Sequence, residues 1–240
     1  MMQDSFDVLI DGTIFELAGQ ASYISWTPSH QPHMLVTGQT GSGKTIFLKL
    51  LMAKIGKCSK GKLYLVDFKG LDFRFANGAP RMYSFMDVGR GIEEVYQILT
   101  DRQSGKDKSN LPIYLVIEEW SGYLNALPKK DADEIKSKVG NLLLLGRGFR
   151  IMVIISLQRC DSHYLPNGAR DQAGFIITLG RMSKEATEML FFDWRNEIDP
   201  TYGTRGRGWC IQGNQLRRCI VPYLSDPAKT EPYIIDALTR

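Results

Sequence analysis

The sequence predicts an α/β fold: a mainly parallel central sheet flanked by helices. Two observations carry that expectation. Short apolar runs alternate with helical periods along the chain, and a glycine-rich loop joins the first such run to the first long helix. Compact apolar runs bounded by Gly, Pro and polar residues suit strands covered on both faces, as parallel strands are. The runs are Met34–Thr37, Leu63–Phe68, Met82–Met86, Ile113–Ile117, Ile151–Ser156 and Phe175–Leu179. Between them, Lys44–Ile55 puts Phe47, Leu50, Leu51 and Ile55 on one helical face and turns Lys49 and Lys54 outward. Gly91–Asp101 and Asp131–Leu145 read the same way, and Ser183–Phe191 is a shorter helix with Ser183 as N-cap. Such alternation is the doubly wound pattern.

The flanks read differently. Phe6–Leu17 alternates around Asp11-Gly12, a favoured turn pair, which predicts a small N-terminal β-hairpin. A Pro-rich connection, Thr27–Pro32, follows. Trp209–Gln212 and Leu216–Val221 flank Gly213-Asn214 and read as a second hairpin. Asp226–Arg240 is a surface tail or a short helix. The expected organisation is an extension over 1–31, a core domain over 32–225 and a C-terminal tail over 226–240.

Composition narrows the class. With 240 residues, 43% hydrophobic and 23% charged, the chain can bury a full core, which excludes disordered, collagen-like and coiled-coil classes. No apolar run approaches the ~20 residues that span a bilayer. Met1–Asp11 has neither the basic cluster nor the apolar stretch of a signal peptide. The expected location is cytoplasmic, with membrane contact only through a partner. Cys58, Cys160, Cys210 and Cys219 form no C-x-x-C pair and lie at no metal spacing from His30, His33 or His163, so reduced thiols are expected. Residues 1–32 hold four acids (Asp4, Asp7, Asp11, Glu16) and no Lys or Arg; removing them from the net +4 leaves a body of +8. A basic body suits an anionic partner.

The decisive motif is Gly38-Gln39-Thr40-Gly41-Ser42-Gly43-Lys44-Thr45, which fits G-x-x-x-x-G-K-[ST] between an apolar strand and an amphipathic helix that continues through Ile46. Glycines let backbone N–H groups turn inward round a phosphate, and the helix start adds its positive end. Lys44 is expected to reach the β- and γ-phosphates of ATP, and Thr45 to offer its hydroxyl to Mg²⁺. Downstream, Ile113–Ile117 runs straight into Glu118-Glu119. Two carboxylates at the tip of a buried strand are costly without a cation or a task. Glu118 is assigned to the Mg²⁺ shell and Glu119 to the base that polarises the attacking water. Asp67 ends its strand either in a surface turn or beside the nucleotide edge. Gln158, just past Ile151–Ser156, can both donate and accept, and so can orient a water or sense a γ-phosphate.

Together these stretches resemble the FtsK/HerA class of DNA-translocating P-loop ATPases. Pro32–Thr45 is similar to that family's phosphate-loop stretch, including the Pro-His before the strand, and Leu65–Gly70 to its D-P-K-G segment. Val116–Glu119, Gly146–Ile151 and Ile155–Arg159 follow in family order. Glu119-Trp120, Leu144–Arg147, Leu165–Asp171 and Leu179–Ser183 further resemble FtsK-like coupling proteins of Gram-positive conjugative and integrative elements. Glu118 departs from the usual Asp, and Cys160 from the usual Pro. The resemblance implies a RecA-like P-loop NTPase core, a hexameric ring on double-stranded DNA, and ATP at subunit interfaces. It also implies an arginine donated by the neighbour, worth roughly 10³–10⁵ in rate. Arg147 is the first candidate and Arg181 the second. A relaxase, a replication initiator or a membrane anchor are the further partners it suggests.

Gly203–Arg218 carries Arg205, Arg207, Arg217 and Arg218 without an acid. That segment fits a phosphate-tracking DNA loop, a nucleotide-edge loop or a subunit interface alike. An ATP-dependent scaffold with little turnover, and a small-molecule P-loop kinase, are the competing functions.

Overall fold

The computed structural model describes residues 5–158, 161, 163–165 and 168–240. Ten strands form one sheet: β1 (Phe6–Asp11), β2 (Tyr23–Trp26), β3 (Met34–Thr37), β4 (Lys62–Asp67), β5 (Met82–Ser84), β6 (Ile113–Glu118), β7 (Ile151–Leu157), β8 (Phe175–Leu179), β9 (Arg207–Gln212) and β10 (Gln215–Ile220). Their spatial order is β2-β1-β10-β9-β8-β3-β7-β6-β4-β5. From β8 to β5 neighbouring strands pair in parallel, while β9, β10, β1 and β2 form an antiparallel wing.

The helices are α1 (Gly12–Ala18), α2 (Lys44–Cys58), α3 (Val88–Gln103), α4 (Trp120–Ala126), α5 (Lys129–Leu145), α6 (Ala169–Gln172), α7 (Lys184–Leu190) and α8 (Glu231–Thr239). Alternation along the buried strands sorts side chains onto two faces. Leu115 and Ile117 of β6 join Val153 and Ile155 of β7 in a core closed by Val95 and Leu99 of α3 and Val139 and Leu142 of α5. Val116 and Ile154 point the other way, to Phe47, Leu48 and Leu51 of α2 and Ile234 and Leu238 of α8. A parallel sheet needs exactly such a double cover, because every strand residue from Ile113 to Glu118 is buried.

Most expected elements form within a few residues of where they were read. Three differ. Asp11-Gly12 is not the hairpin turn. Asp11 instead N-caps α1, its carboxylate accepting from Thr13 N and Ile14 N. The chain therefore makes a helical turn before β2 returns antiparallel to β1. Asp serves turns and caps by the same side-chain-to-backbone bonding, so the pair alone could not tell them apart. The run Met82–Met86 ends as a strand at Ser84, because Phe85 adopts φ +55° and starts a 3₁₀ turn, Phe85–Asp87. The C-terminal segment takes the helical option: α8 buries Ile234, Ala237 and Leu238. It lies so close to α2 that a Cβ on Gly56 would sit 2.0 Å from the Tyr233 carbonyl oxygen. Arg240 then donates to Gly56 O at 2.6 Å, satisfying a carbonyl at the end of α2. Among the described residues no helix is long and apolar enough to cross a membrane.

Candidate active site

The parallel strands all end on one edge of the sheet, and the polar residues singled out from the sequence collect there. The loop from Gly38 to Gly43 leaves β3 with φ +146° at Gly38, +81° at Gly41 and +105° at Gly43. Two of these glycines have no substitute. A Cβ on Gly38 would lie 2.2 Å from Leu179 O and 2.7 Å from Ser42 Oγ, and one on Gly43 would meet Gly206 N at 3.1 Å. The loop is therefore wedged between the end of β8 and the segment that leads into β9. Gly206 N donates to Ser42 O at 2.8 Å.

Lys44, the first residue of α2, is buried and bends back over the loop, donating to Gly38 O at 2.5 Å and to Gln39 O at 3.3 Å. Burial lowers its pKa, while Glu118 and Glu119 oppose that shift. Thr45 Oγ1 donates to Asp72 Oδ2 at 3.4 Å. A small cleft lined by Thr40, Gly41, Gly43, Lys44, Thr45 and Ile46 on one side and Glu118, Glu119 and Gln158 on the other unites these residues.

The two glutamates behave differently although they are neighbours. Glu118 is the last residue of β6 and is 3% exposed. Burial pushes its carboxyl up to about 7, with Ser156 and Lys44 pulling it back. It stands in register with Asp67 at the end of β4. Burial raises the Asp67 pKa too, against the backbone N–H groups of Gly70 and Lys69. Asp67 is thus beside the carboxylate pair and not in a surface turn. Each acid has one buried oxygen, Glu118 Oε2 and Asp67 Oδ2, without a hydrogen bond, and Ser42 Oγ is in the same condition. Unpaired buried acceptors and hydroxyls beside a glycine nest suit a hydrated divalent cation with a polyphosphate, so the residues present fit Mg²⁺–ATP.

Glu119 opens α4 in the left-handed region, φ +57°, and its side chain does not cap the helix. Its Oε1 instead accepts from Lys69 Nζ at 2.5 Å and from Gln158 Nε2 at 2.7 Å. Sequence reasoning named Gln158 but missed Lys69 and Asp72. Lys69 lay inside a quoted motif, yet nothing in a separation of fifty residues announces its ion pair with Glu119.

The arginines divide. Arg205 lines the same cleft as Lys44 and Glu119. Of the basic segment, Arg205 is thus the residue that borders this cleft. Arg181 lines an adjoining cavity of about 810 Å³ with Gln39, Gln158 and Thr178. Arg147 is not brought to the site within the chain. It precedes β7 on the opposite edge of the sheet, lining a separate cavity of about 550 Å³ with Arg150 and Tyr114. Arg159 and Cys160 of the family-like segment lie outside the described residues.

Residues 12–108 match the FtsK/SpoIIIE family. FtsK domain-containing protein YdcQ of Bacillus subtilis (strain 168) is 27% identical over 211 residues, covering 80% of this chain and 43% of YdcQ. The chain thus spans less than half the length of that relative. Among solved structures, the pCW3 conjugation coupling protein TcpA, in its monomer form with ATPγS, matches with a TM-score of 0.74 at 18% identity. The match covers 96% of this chain and 70% of TcpA. EssC (ATPases 2 and 3) of Geobacillus thermodenitrificans matches with a TM-score of 0.75 at 12% identity, over 99% of this chain and 48% of that one. These likenesses show a shared α/β fold, with the mainly parallel sheet and the antiparallel β1–β2 pair that the sequence led one to expect.

Proposed function

We propose that this FtsK/SpoIIIE-type domain is an ATP-hydrolysing motor that moves double-stranded DNA. The observation that carries hydrolysis is the cleft in which Lys44 and the phosphate loop face Glu118 and Glu119. In this reading the loop N–H groups and Lys44 hold the β- and γ-phosphates, and Gly38 to Ile46 form the nucleotide cradle. Thr45 and Glu118 hold Mg²⁺, which draws charge off the phosphate oxygens when bound. Glu119 accepts the proton of the attacking water, and Gln158 orients the carboxylate that does so. Arg147 or Arg181 of an adjacent copy, in a hexameric ring, stabilises charge on the transferred group.

The DNA half of the proposal draws on the likeness to YdcQ and to a conjugation coupling protein, and on the net +8 carried by the residues after position 32. A relaxase, a replication initiator or a membrane anchor are the partners such a motor would serve, from a cytoplasmic position. A second reading, a secretion ATPase, is favoured by the likeness to the cytoplasmic domain of the Thermomonospora curvata Type VII secretion ATPase EccC, TM-score 0.69 at 20% identity.

One experiment separates them: steady-state ATP hydrolysis with and without long duplex DNA at two salt concentrations. A DNA motor is stimulated by duplex, less so at high salt, because contact is made to phosphates. Turnover that ignores duplex removes the DNA half. No turnover under any condition leaves a nucleotide-binding scaffold.

A further inference from the structure

Glu119 stands at the tip of β6, the middle of three adjacent parallel strands, β4, β6 and β7. Its two hydrogen-bond donors come from the outer two. Lys69 reaches in from the turn after β4, and Gln158 from the residue after β7. Both converge on the same oxygen, Oε1. A carboxylate has two acceptor oxygens, and a proton can be taken on the one that donors leave free. Loading Oε1 with an ammonium and an amide fixes the plane of the carboxylate and leaves Oε2 without either donor.

The turn that carries Lys69 is itself braced. Asp67 Oδ1 accepts from Lys69 N at 3.1 Å. Phe68 packs against Tyr123 of α4, ring centroids 5.8 Å apart, and a Cβ on Gly70 would strike the Phe85 ring at 2.7 Å. Lys69 keeps 40% of its side chain exposed, so the ammonium is not required for the core. Yet its partner is held in a left-handed backbone conformation that a glutamate adopts only at a cost. A strained residue clamped from two sides by groups that belong to different strands is a built arrangement.

We infer that Lys69 is a positioning residue for ATP hydrolysis: together with Gln158 it holds Glu119 Oε1 so that Oε2 is the oxygen that meets the attacking water. The role rests on the hydrolase reading of the cleft. It differs from direct phosphate binding, the ordinary use of a lysine in such a cleft, because Lys69 acts through a carboxylate and not on the nucleotide. It also gives the turn after β4 a hold on turnover, since any shift of that turn moves the clamp.

The test compares wild type, Lys69→Met and Lys69→Arg for steady-state ATP hydrolysis and for the Kd of a non-hydrolysable ATP analogue with Mg²⁺. For Lys69→Met the expected result is a fall in kcat of about tenfold, less than the roughly 10²–10⁴ carried by the general base itself. KM and the analogue Kd should stay within about twofold, because an interaction made only in the transition state lowers kcat without weakening ground-state binding. Lys69→Arg restores most of kcat, since a guanidinium can also donate to Oε1. An active wild type with Lys69→Met at full rate overturns the positioning role alone. A Kd that rises in step with the loss of kcat also overturns it, by making Lys69 a phosphate ligand. A wild type without turnover overturns the hydrolase reading, and this role with it.

Discussion

The two edges of the parallel sheet treat their buried polar groups differently. Where the strands begin, side chains bond to the backbone, and the atoms left without a partner among the described residues are two nitrogens, His33 Nε2 and Arg81 Nε. Arg102 at the end of α3, its side chain 5% exposed, donates to Phe149 O and Leu111 O and pairs with Asp107. His33, one residue before β3, accepts from Val153 N at 3.1 Å. Where the strands end, Ser42, Asp67, Glu118 and Ser156 each keep a buried oxygen without a hydrogen bond. Orphaned buried polar atoms destabilise a fold. What sets the ending edge apart is that its orphans are all oxygens, gathered beside the glycine-rich loop. The difference teaches where to look for chemistry in such a chain: at the edge where unpaired acceptors and hydroxyls cluster.

Variants at the two edges should separate cleanly into losses of turnover and losses of stability. The largest effect belongs to Glu119→Gln. ATP hydrolysis should fall by at least ~100-fold while nucleotide affinity is kept, as expected for a lost general base; unchanged turnover would break the assignment. At the opposite edge, Arg102→Met should cost about 1 kcal/mol in denaturant unfolding, since it removes bonds to the half-buried Phe149 O, to the exposed Leu111 O and to Asp107, with analogue affinity unchanged.

Stability against pH sharpens the contrast further. Burial at the ending edge raises Glu118 from 4.5 to about 7, and burial at the beginning edge lowers His33 from 6.5 to about 4, with the Leu143 backbone opposing. Folded Glu118 holds its proton after the unfolded chain has lost it, so its contribution falls as pH rises from about 4.5 to 7. Folded His33 loses its proton first, so its contribution rises between about pH 4 and 6.5. Each amounts to roughly 3 kcal/mol at ~1.36 kcal/mol per unit, and they nearly cancel. Glu118→Gln should thus leave a Tm that climbs with pH across that window, and His33→Gln one that declines. Parallel profiles for the two variants would refute the opposition. The smallest stability effect is expected for exposed Arg147→Ala, within ~0.5 kcal/mol of wild type. Lost turnover with intact nucleotide binding would then assign Arg147 to the site of an adjacent copy.

Much of this was legible beforehand, for physical reasons. Strands buried on both faces must be apolar throughout, so Ile113–Ile117 and Phe175–Leu179 stood out as runs, and only glycines can build the turn at Gly38 and Gly43. Local chemistry also located Ser183, whose hydroxyl accepts from Ala186 N at 3.1 Å. What escaped was set by distance along the chain. The partner of Glu119 lies in a turn fifty residues earlier, and the opposite placement of Arg147 follows from which end of β7 it precedes. Asp11 escaped for another reason, since its cap and a hairpin turn use the same bonds.

The bond from Gly206 N to Ser42 O also has a consequence for how the protein is made. The phosphate loop is made first, and its brace is encoded 164 positions later, from Ser42 to Gly206. At roughly 5–20 residues per second, that is an interval of roughly ten to thirty seconds on the ribosome. Through it the glycine-rich loop exists without the β9 approach that shapes it. A nascent chain stalled short of Gly206 would present α2 and the loop sequence but should not retain an ATP-agarose bead, whereas one released past β10 should.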